Sequence, residues 1–135
     1  MKSPVSFIII DDDSTNNLLC SIVIEDVMDS AKIKAFQYAE KGLNYIKTEY
    51  ANLVNPTILF LDINMPTWSG WDFLEQFEEI DAYIKDQFKI YMLSSSLDPG
   101  DQQRALANKY VRDYIEKPLS EEALLSILKG YKQEQ

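Results

Sequence analysis

The sequence predicts an α/β fold, in which helices cover both faces of a parallel β-sheet. Short apolar segments alternate five times with longer segments whose apolar residues recur at helical spacing. No internal repeat and no Pro/Gly/Ser-rich linker interrupts this series, and the length of 135 residues suits one domain. We therefore expect a single domain over residues 1–135, with its core between about residues 5 and 131.

The predicted strands are either apolar throughout or alternate between polar and apolar residues. In chain order they are Val5–Ile10, Lys32–Phe36, Thr57–Leu61, Ile90–Leu93 and Val111–Glu116. The first, third and fourth are apolar, as strands buried on both faces are, whereas the second and fifth contain charged residues, as edge strands do. This contrast predicts the strand order 2-1-3-4-5, which is the flavodoxin-like doubly wound (βα)5 arrangement.

A helix is predicted after each strand. The third is expected to continue past Ile80, the fourth to begin at Asp98-Pro99, and the fifth to be capped by Ser120. The residues expected on buried faces are Leu18, Leu19, Ile22, Val23 and Val27 in the first helix, Ala39, Leu43, Ile46 and Tyr50 in the second, Phe73, Leu74 and Phe77 in the third, and Leu124, Ile127, Leu128 and Tyr131 in the fifth.

The composition excludes several classes of function. With 13 basic and 22 acidic residues the formal net charge is −9, which argues against binding to nucleic acid or to an anionic membrane. The chain has no histidine, so it contains no Ser-His-Asp triad and no histidine-ligated zinc. The single cysteine, Cys20, forms no internal disulfide and fits a reducing, cytoplasmic location.

Polar side chains follow four of the predicted strands. The segments are Asp11-Asp12-Asp13, Asp62, Ser94-Ser95-Ser96 and Glu116-Lys117-Pro118. In a doubly wound sheet such residues meet at one edge, where ligands bind between strands 1 and 3. Two carboxylates about 4 Å apart repel by roughly 4 kcal/mol at an effective dielectric constant near 20, so a proton, a lysine or a divalent cation must compensate them. The all-oxygen donor set favours Mg²⁺ or Mn²⁺, with a phosphoryl group as a further ligand.

Taken one at a time, these segments are ordinary turns, loops and helix N-termini; together they resemble the receiver domain of two-component response regulators. The matching segments are Phe7–Asp13, Phe60–Pro66 with Gly70, Met92–Ser95 and Tyr114–Pro118. The resemblance extends from about Val5 to Tyr131. It implies a phosphoryl-accepting regulatory domain, not an enzyme, that resembles the stand-alone chemotaxis regulators. The implied partners are a sensor histidine kinase or a histidine phosphotransfer protein.

The resemblance also implies a role for each acidic residue. Asp62 is the expected phospho-acceptor. Asp12, Asp62 and the backbone carbonyl of Asn64 are expected to bind Mg²⁺ (or Mn²⁺), with Asp11 acting through a bound water. Asp13 has no implied role beyond a charge at a helix N-terminus.

A second set of residues is expected to couple phosphorylation to the surface. Lys117 would pair with a phosphoryl oxygen and precede a cis peptide to Pro118, while Ser94 and Tyr114 would move together as a switch. The implied output surface is the fourth helix, the fifth strand and the fifth helix, where a separate effector would bind. Its candidate contacts are Gln103, Leu106, Tyr110, Arg112 and Leu119.

Three other functions remain open at this point. A phosphate-binding cofactor module would need N–H donors after the first strand, where three aspartates stand instead. A haloacid-dehalogenase-like phosphatase would need an aspartate where Asn64 stands. A receiver-fold scaffold or protein-binding module that is not phosphorylated is the third, and the intact Asp62, Ser94 and Lys117 argue against it.

Overall fold

The computed structural model describes residues 5–132 and contains a five-stranded parallel sheet. The strands are β1 (Ser6–Ile10), β2 (Lys32–Phe36), β3 (Thr57–Leu61), β4 (Phe88–Ser94) and β5 (Val111–Glu116). Their order is β2-β1-β3-β4-β5, so the predicted fold class and strand order are confirmed. The predicted burial contrast is also present, because β1 and β3 are buried throughout and β2 is not. Residues 1–4 and 133–135 and the Tyr131 side chain, for which a buried position was predicted, lie outside the described residues.

Six α-helices occur in the described part of the chain, one more than the sequence predicted. They are α1 (Ser14–Val27), α2 (Ala39–Glu49), α3 (Gly70–Glu78), α4 (Ala82–Lys85), α5 (Pro99–Ala107) and α6 (Glu121–Lys132). The third helix does not pass Ile80, because the Glu79 amide donates to the carbonyl of Gln76 and closes the last turn. The short α4 then buries Ile84. The predicted fourth and fifth helices are therefore α5 and α6.

The core has two parts, one on each face of the sheet, because successive side chains of a strand point to opposite faces. Ile8, Leu59 and Ile90 pack on the face covered by α2, α3, α4 and α5. Ile9 and Phe60 pack on the other face, which α1 and α6 cover. Both parts are continuous along β1, β3 and β4, so the carboxyl ends of these strands are rigidly supported. No described helix is long and apolar enough to cross a membrane.

The predicted buried face of α1 is only partly correct: Val23 and Val27 pack against the core, but three of the residues placed there are exposed. Leu18, Leu19 and Ile22 are 61%, 48% and 45% exposed, whereas Cys20 and Ile24 are buried. The apolar residues of α1 itself lie on nearly every side of the helix, so their spacing in the sequence does not identify the face that packs against the sheet.

Candidate functional site

Three carboxylates meet at the carboxyl edge of the sheet, as predicted. Ile10 and Leu61 are paired neighbours in β1 and β3, so Asp11 and Asp62 leave adjacent strands side by side. The Asp62 amide donates to the carbonyl of Ile10 at 2.9 Å and fixes this junction. Asp11 and Asp62 are only 2% and 6% exposed. One oxygen each from Asp11, Asp12 and Asp62 lies within 4.8 Å of the others, with Asp12 on the exposed side.

Lys117 provides the positive charge that this cluster requires. Its Nζ lies 2.6 Å from Oδ2 of Asp11 and 3.4 Å from Oδ1 of Asp62, and its side chain is only 17% exposed. The Lys117 amide donates to the Ser94 carbonyl at 2.9 Å, which anchors the end of β5 to the end of β4. The Lys117–Pro118 peptide is cis, as the resemblance implied. The structure therefore brings together Asp11, Asp12, Asp62 and Lys117.

Burial and charge shift the pKa values in this cluster. Burial, reinforced by the negative charge of Asp11, raises the pKa of Asp62 from 3.8 to about 6, although Lys117 opposes this shift. Burial by itself lowers the pKa of Lys117, but its hydrogen bond to Asp11 and the charges of Asp62 and Asp11 raise it above the ordinary value overall. Asp62 can therefore be ionised at neutral pH while Lys117 stays positively charged.

Two buried side-chain amides of α1 hold Asp11 in place, and neither was predicted from the sequence. Asn16 Nδ2 donates to Oδ2 of Asp11 at 2.9 Å, and Asn17 Nδ2 donates to the Asp11 carbonyl at 3.0 Å. Asp13 caps α1, because its Oδ1 accepts from the Thr15 amide at 2.9 Å. Its role at a helix N-terminus is thus confirmed. The missed signal was a pair of asparagines one helical turn before Cys20, on the face that packs against the sheet.

The loop between β3 and α3 passes close to the Asp62 backbone. The Gly70 amide donates to the Ile63 carbonyl at 2.7 Å, and a Cβ on Gly70 would collide with the carbonyl oxygen of Asp62. Only glycine allows this approach. Asn64 lies exposed in this loop, two residues beyond Asp62.

The expected switch residues lie on neighbouring strands, Ser94 at the end of β4 and Tyr114 within β5, and both hydroxyl groups bond to Ser96 in the loop after β4. Ser94 is 1% exposed, and its Oγ accepts from the Ser96 amide at 3.1 Å. The Tyr114 hydroxyl donates to the Ser96 carbonyl at 2.9 Å, and its half-buried ring packs on the α2–α5 side of the core. The structure thus links Tyr114 to Ser94 through Ser96.

One expected contact on the output surface is wrong. Leu119 is only 4% exposed, because it packs against the core part under α1 and α6. Leu106 is 49% exposed, and Gln103 and Arg112 are exposed as well.

The donor set fits a hard divalent cation. Within residues 5–132 the cluster offers only carboxylate oxygens, with no sulfur or nitrogen donor among its members, and such oxygens are preferred by Mg²⁺ and Mn²⁺. Both oxygens of Asp11 already accept hydrogen bonds, Oδ1 from the Asp13 amide and Oδ2 from Asn16. Asp12 and Asp62 are therefore the more available direct ligands.

Comparisons with known proteins agree on one family. The family model described as the response regulator receiver domain matches residues 7–129 of this chain. The crystal structure of a two-component response regulator from Cytophaga hutchinsonii has 32% sequence identity and a TM-score of 0.85, with 96% of this chain and 97% of that chain covered. A chain in the crystal structure of the CheX–CheY–BeF3–Mg²⁺ complex from Borrelia burgdorferi has 21% identity and a TM-score of 0.76, with 95% of this chain and 89% of that chain covered, and it shows the fold alone.

The sensor histidine kinase GacS from Pseudomonas protegens is 27% identical over 119 residues. The match covers 88% of this chain but 12% of the kinase, so the chain spans a small part of that relative.

Proposed function

The chain belongs to the response regulator receiver domain family, and from this premise we propose that Asp62 accepts a phosphoryl group from a phosphohistidine of a partner protein. Receiver domains are regulatory switches of two-component systems, not classical enzymes. The observation that most supports the proposal is the position of Asp62, a nearly buried carboxylate 3.4 Å from Lys117 and beside two further carboxylates.

The proposed step is a transfer between two nucleophiles. A carboxylate oxygen of Asp62 forms a bond to phosphorus while the bond from phosphorus to the partner's imidazole nitrogen breaks, and the released imidazole takes up a proton. The 135 residues contain no histidine, so the donor histidine would lie outside this sequence, in the proposal on a partner protein. The resulting acyl phosphate is labile, and it can therefore change the conformation of the domain and then be lost by hydrolysis.

A divalent cation is part of the proposal. Asp12, Asp62 and the carbonyl of Asn64 would bind Mg²⁺ or Mn²⁺, and Asp11 would act through a water. When bound, such a cation neutralises negative charge on the transferring phosphoryl oxygens.

Lys117 and Ser94 would recognise the phosphoryl group once it is on Asp62. Lys117 would release part of its interaction with Asp11 and pair with a phosphoryl oxygen. Ser94 would give up its bond from the Ser96 amide and donate its hydroxyl proton to another phosphoryl oxygen. Tyr114, which bonds to the Ser96 carbonyl, would then lose its partner and turn inward.

The proposed output surface is formed by α5, β5 and α6, where an effector protein would bind. The proposed donor is a sensor histidine kinase or a histidine phosphotransfer protein, consistent with the likeness to part of a sensor kinase. A cytoplasmic location and a single domain over residues 1–135 also belong to the proposal.

Intact-mass measurement tests the central assignment. The protein is incubated with Mg²⁺ and a small acyl-phosphate donor, and one added phosphoryl group is expected. Asp62→Asn should show none. Asp13→Asn is the matched control and should be labelled as the wild type is, since asparagine caps a helix as well as aspartate does. No adduct on the wild type would favour a scaffold that is not phosphorylated, and an adduct on Asp62→Asn would assign the acceptor elsewhere.

A further inference from the structure

A second charged site lies at the opposite edge of the sheet. A cavity of about 520 Å³ opens where β4 and β5 begin, beside α4. We call this the cation pocket, and its polar lining residues are Lys85, Lys89, Lys109, Arg112, Asp86 and Tyr110. Four cations and one carboxylate thus face one cavity in a chain whose net charge is −9. The proposed phosphorylation site uses none of these side chains.

Two of the four cations already have partners. Lys85 Nζ donates to the Glu78 carbonyl at 2.7 Å and to the Tyr110 hydroxyl at 3.0 Å. Lys109 lies 3.9 Å from Glu78, in a pair whose side chains are 71% and 56% exposed. Within residues 5–132, by contrast, the side chains of Lys89 and Arg112 make no hydrogen bond or ion pair. Their donors are therefore available to a ligand.

A β-bulge places Arg112 at the cavity. Ile90 of β4 pairs with Val111, but the next residue, Tyr91, pairs with Asp113, so Arg112 is an extra residue in β5. Such a bulge bends its strand and redirects the side chain of the extra residue. Here it brings the guanidinium to the cavity that Lys89 lines from β4. A guanidinium presents a planar fork of N–H donors that matches phosphate oxygens, which the point charge of a lysine does not.

We propose that the cation pocket binds a ligand with two or three linked phosphate groups. The cavity volume is that of a small-molecule site. A compact polyanion can contact Arg112, Lys89 and Lys109 at once, whereas a single anionic group would reach fewer cations and would compete poorly with water. The ligand's chemistry is a diphosphate or triphosphate, whether inorganic or attached to a nucleoside.

Titration calorimetry with pyrophosphate tests the proposal in buffer with EDTA, so that no metal links the ligand to the carboxylate cluster. The double variant Lys89→Gln with Arg112→Gln is expected to bind at least about tenfold more weakly than the wild type, since two charged contacts are lost. The control Lys47→Gln with Lys129→Gln removes the same charge from exposed positions on α2 and α6 and should bind as the wild type does. Orthophosphate is expected to bind about tenfold more weakly than pyrophosphate.

Three outcomes would overturn the proposal: no binding of pyrophosphate by the wild type, equal losses in the two double variants, or equal affinities for orthophosphate and pyrophosphate. Urea unfolding checks that each variant folds, and the single variant Arg112→Gln replaces the double variant if that one does not. ADP separates the two ligand sources. Tighter binding of ADP than of pyrophosphate indicates a nucleotide, and equal or weaker binding indicates that the phosphates alone are recognised.

Discussion

The two edges of the sheet both concentrate charge, but they stabilise it in different ways. At the carboxyl edge, Lys117 and Asp11 are 2.6 Å apart, with side chains 17% and 2% exposed. At the amino edge, Lys109 and Glu78 are 3.9 Å apart, with side chains 71% and 56% exposed. Water can replace a partner lost at the amino edge, but not one lost at the carboxyl edge. The carboxyl edge is therefore organised around fixed buried charges, whereas the amino edge keeps cations available for a ligand.

Replacing the lysine of each pair should produce the largest difference between the edges. Lys117→Met leaves Asp11 and Asp62 buried without a cation, and breaking a buried pair in this way typically costs about 3–5 kcal/mol of unfolding free energy. Lys109→Met breaks an exposed pair and should change that free energy by about 1 kcal/mol or less. Urea unfolding in EDTA measures both. Similar losses for the two variants would contradict the contrast between the edges.

The pH dependence of stability should show the cost of burying Asp62. Unfolded Asp62 releases its proton near pH 3.8 and folded Asp62 near pH 6, so the folded state binds more protons between these values. The free energy of unfolding therefore falls as pH rises from about 4 to above 6, by up to roughly 3 kcal/mol for a shift of about two pKa units. Asp62→Asn does not undergo this loss.

The measurement compares urea unfolding of the wild type and Asp62→Asn in EDTA, at about pH 4.5 and about pH 7.5. The variant should gain stability relative to the wild type as pH rises. Most other titrating groups are common to both proteins, so their contributions largely cancel in the difference. A stability difference that does not change with pH would show that Asp62 is not destabilised in its ionised form.

The fold and the acidic site were predictable because both depend on strand composition. Strands β1 and β3 are apolar throughout, and an aspartate follows each, so the strand order also placed Asp11 and Asp62 side by side. The position of Lys117 followed in the same way from the end of β5. Predicting these positions requires only the strand order and the rule that the carboxyl ends of parallel strands share an edge of the sheet.

The remaining features depend on information that spacing alone does not contain. The prediction of the packed face of α1 was wrong for Leu18, because Leu18 and Cys20 are both apolar and only tertiary packing selects between them. The side-chain amides of Asn16 and Asn17 can donate to Asp11 only because the packed face of α1 is turned toward it. Arg112 lines the cation pocket because the register shifts between β4 and β5, and no local sequence pattern predicts such a shift.

Two tyrosines provide the comparison of the two edges with the smallest expected effect, because one hydroxyl is bonded at the carboxyl edge and the other at the amino edge. The Tyr114 hydroxyl donates to the Ser96 carbonyl at 2.9 Å, and the Tyr110 hydroxyl accepts from Lys85 at 3.0 Å. Tyr114→Phe and Tyr110→Phe each keep the ring and should each lower the free energy of unfolding by about 1 kcal/mol.

Only Tyr114→Phe should also affect phosphorylation. Under the proposed switch, the bond to Ser96 exists only before Asp62 is phosphorylated, so its loss destabilises the resting state alone. A difference of about 1 kcal/mol favours the switched state roughly fivefold, and phosphorylation should rise by up to that factor. The fraction of labelled protein at limiting acyl-phosphate donor, followed by intact mass, measures this effect. Equal labelling of Tyr114→Phe and Tyr110→Phe would mean that the Tyr114 bond is kept after phosphorylation, and that Tyr114 is not part of the switch.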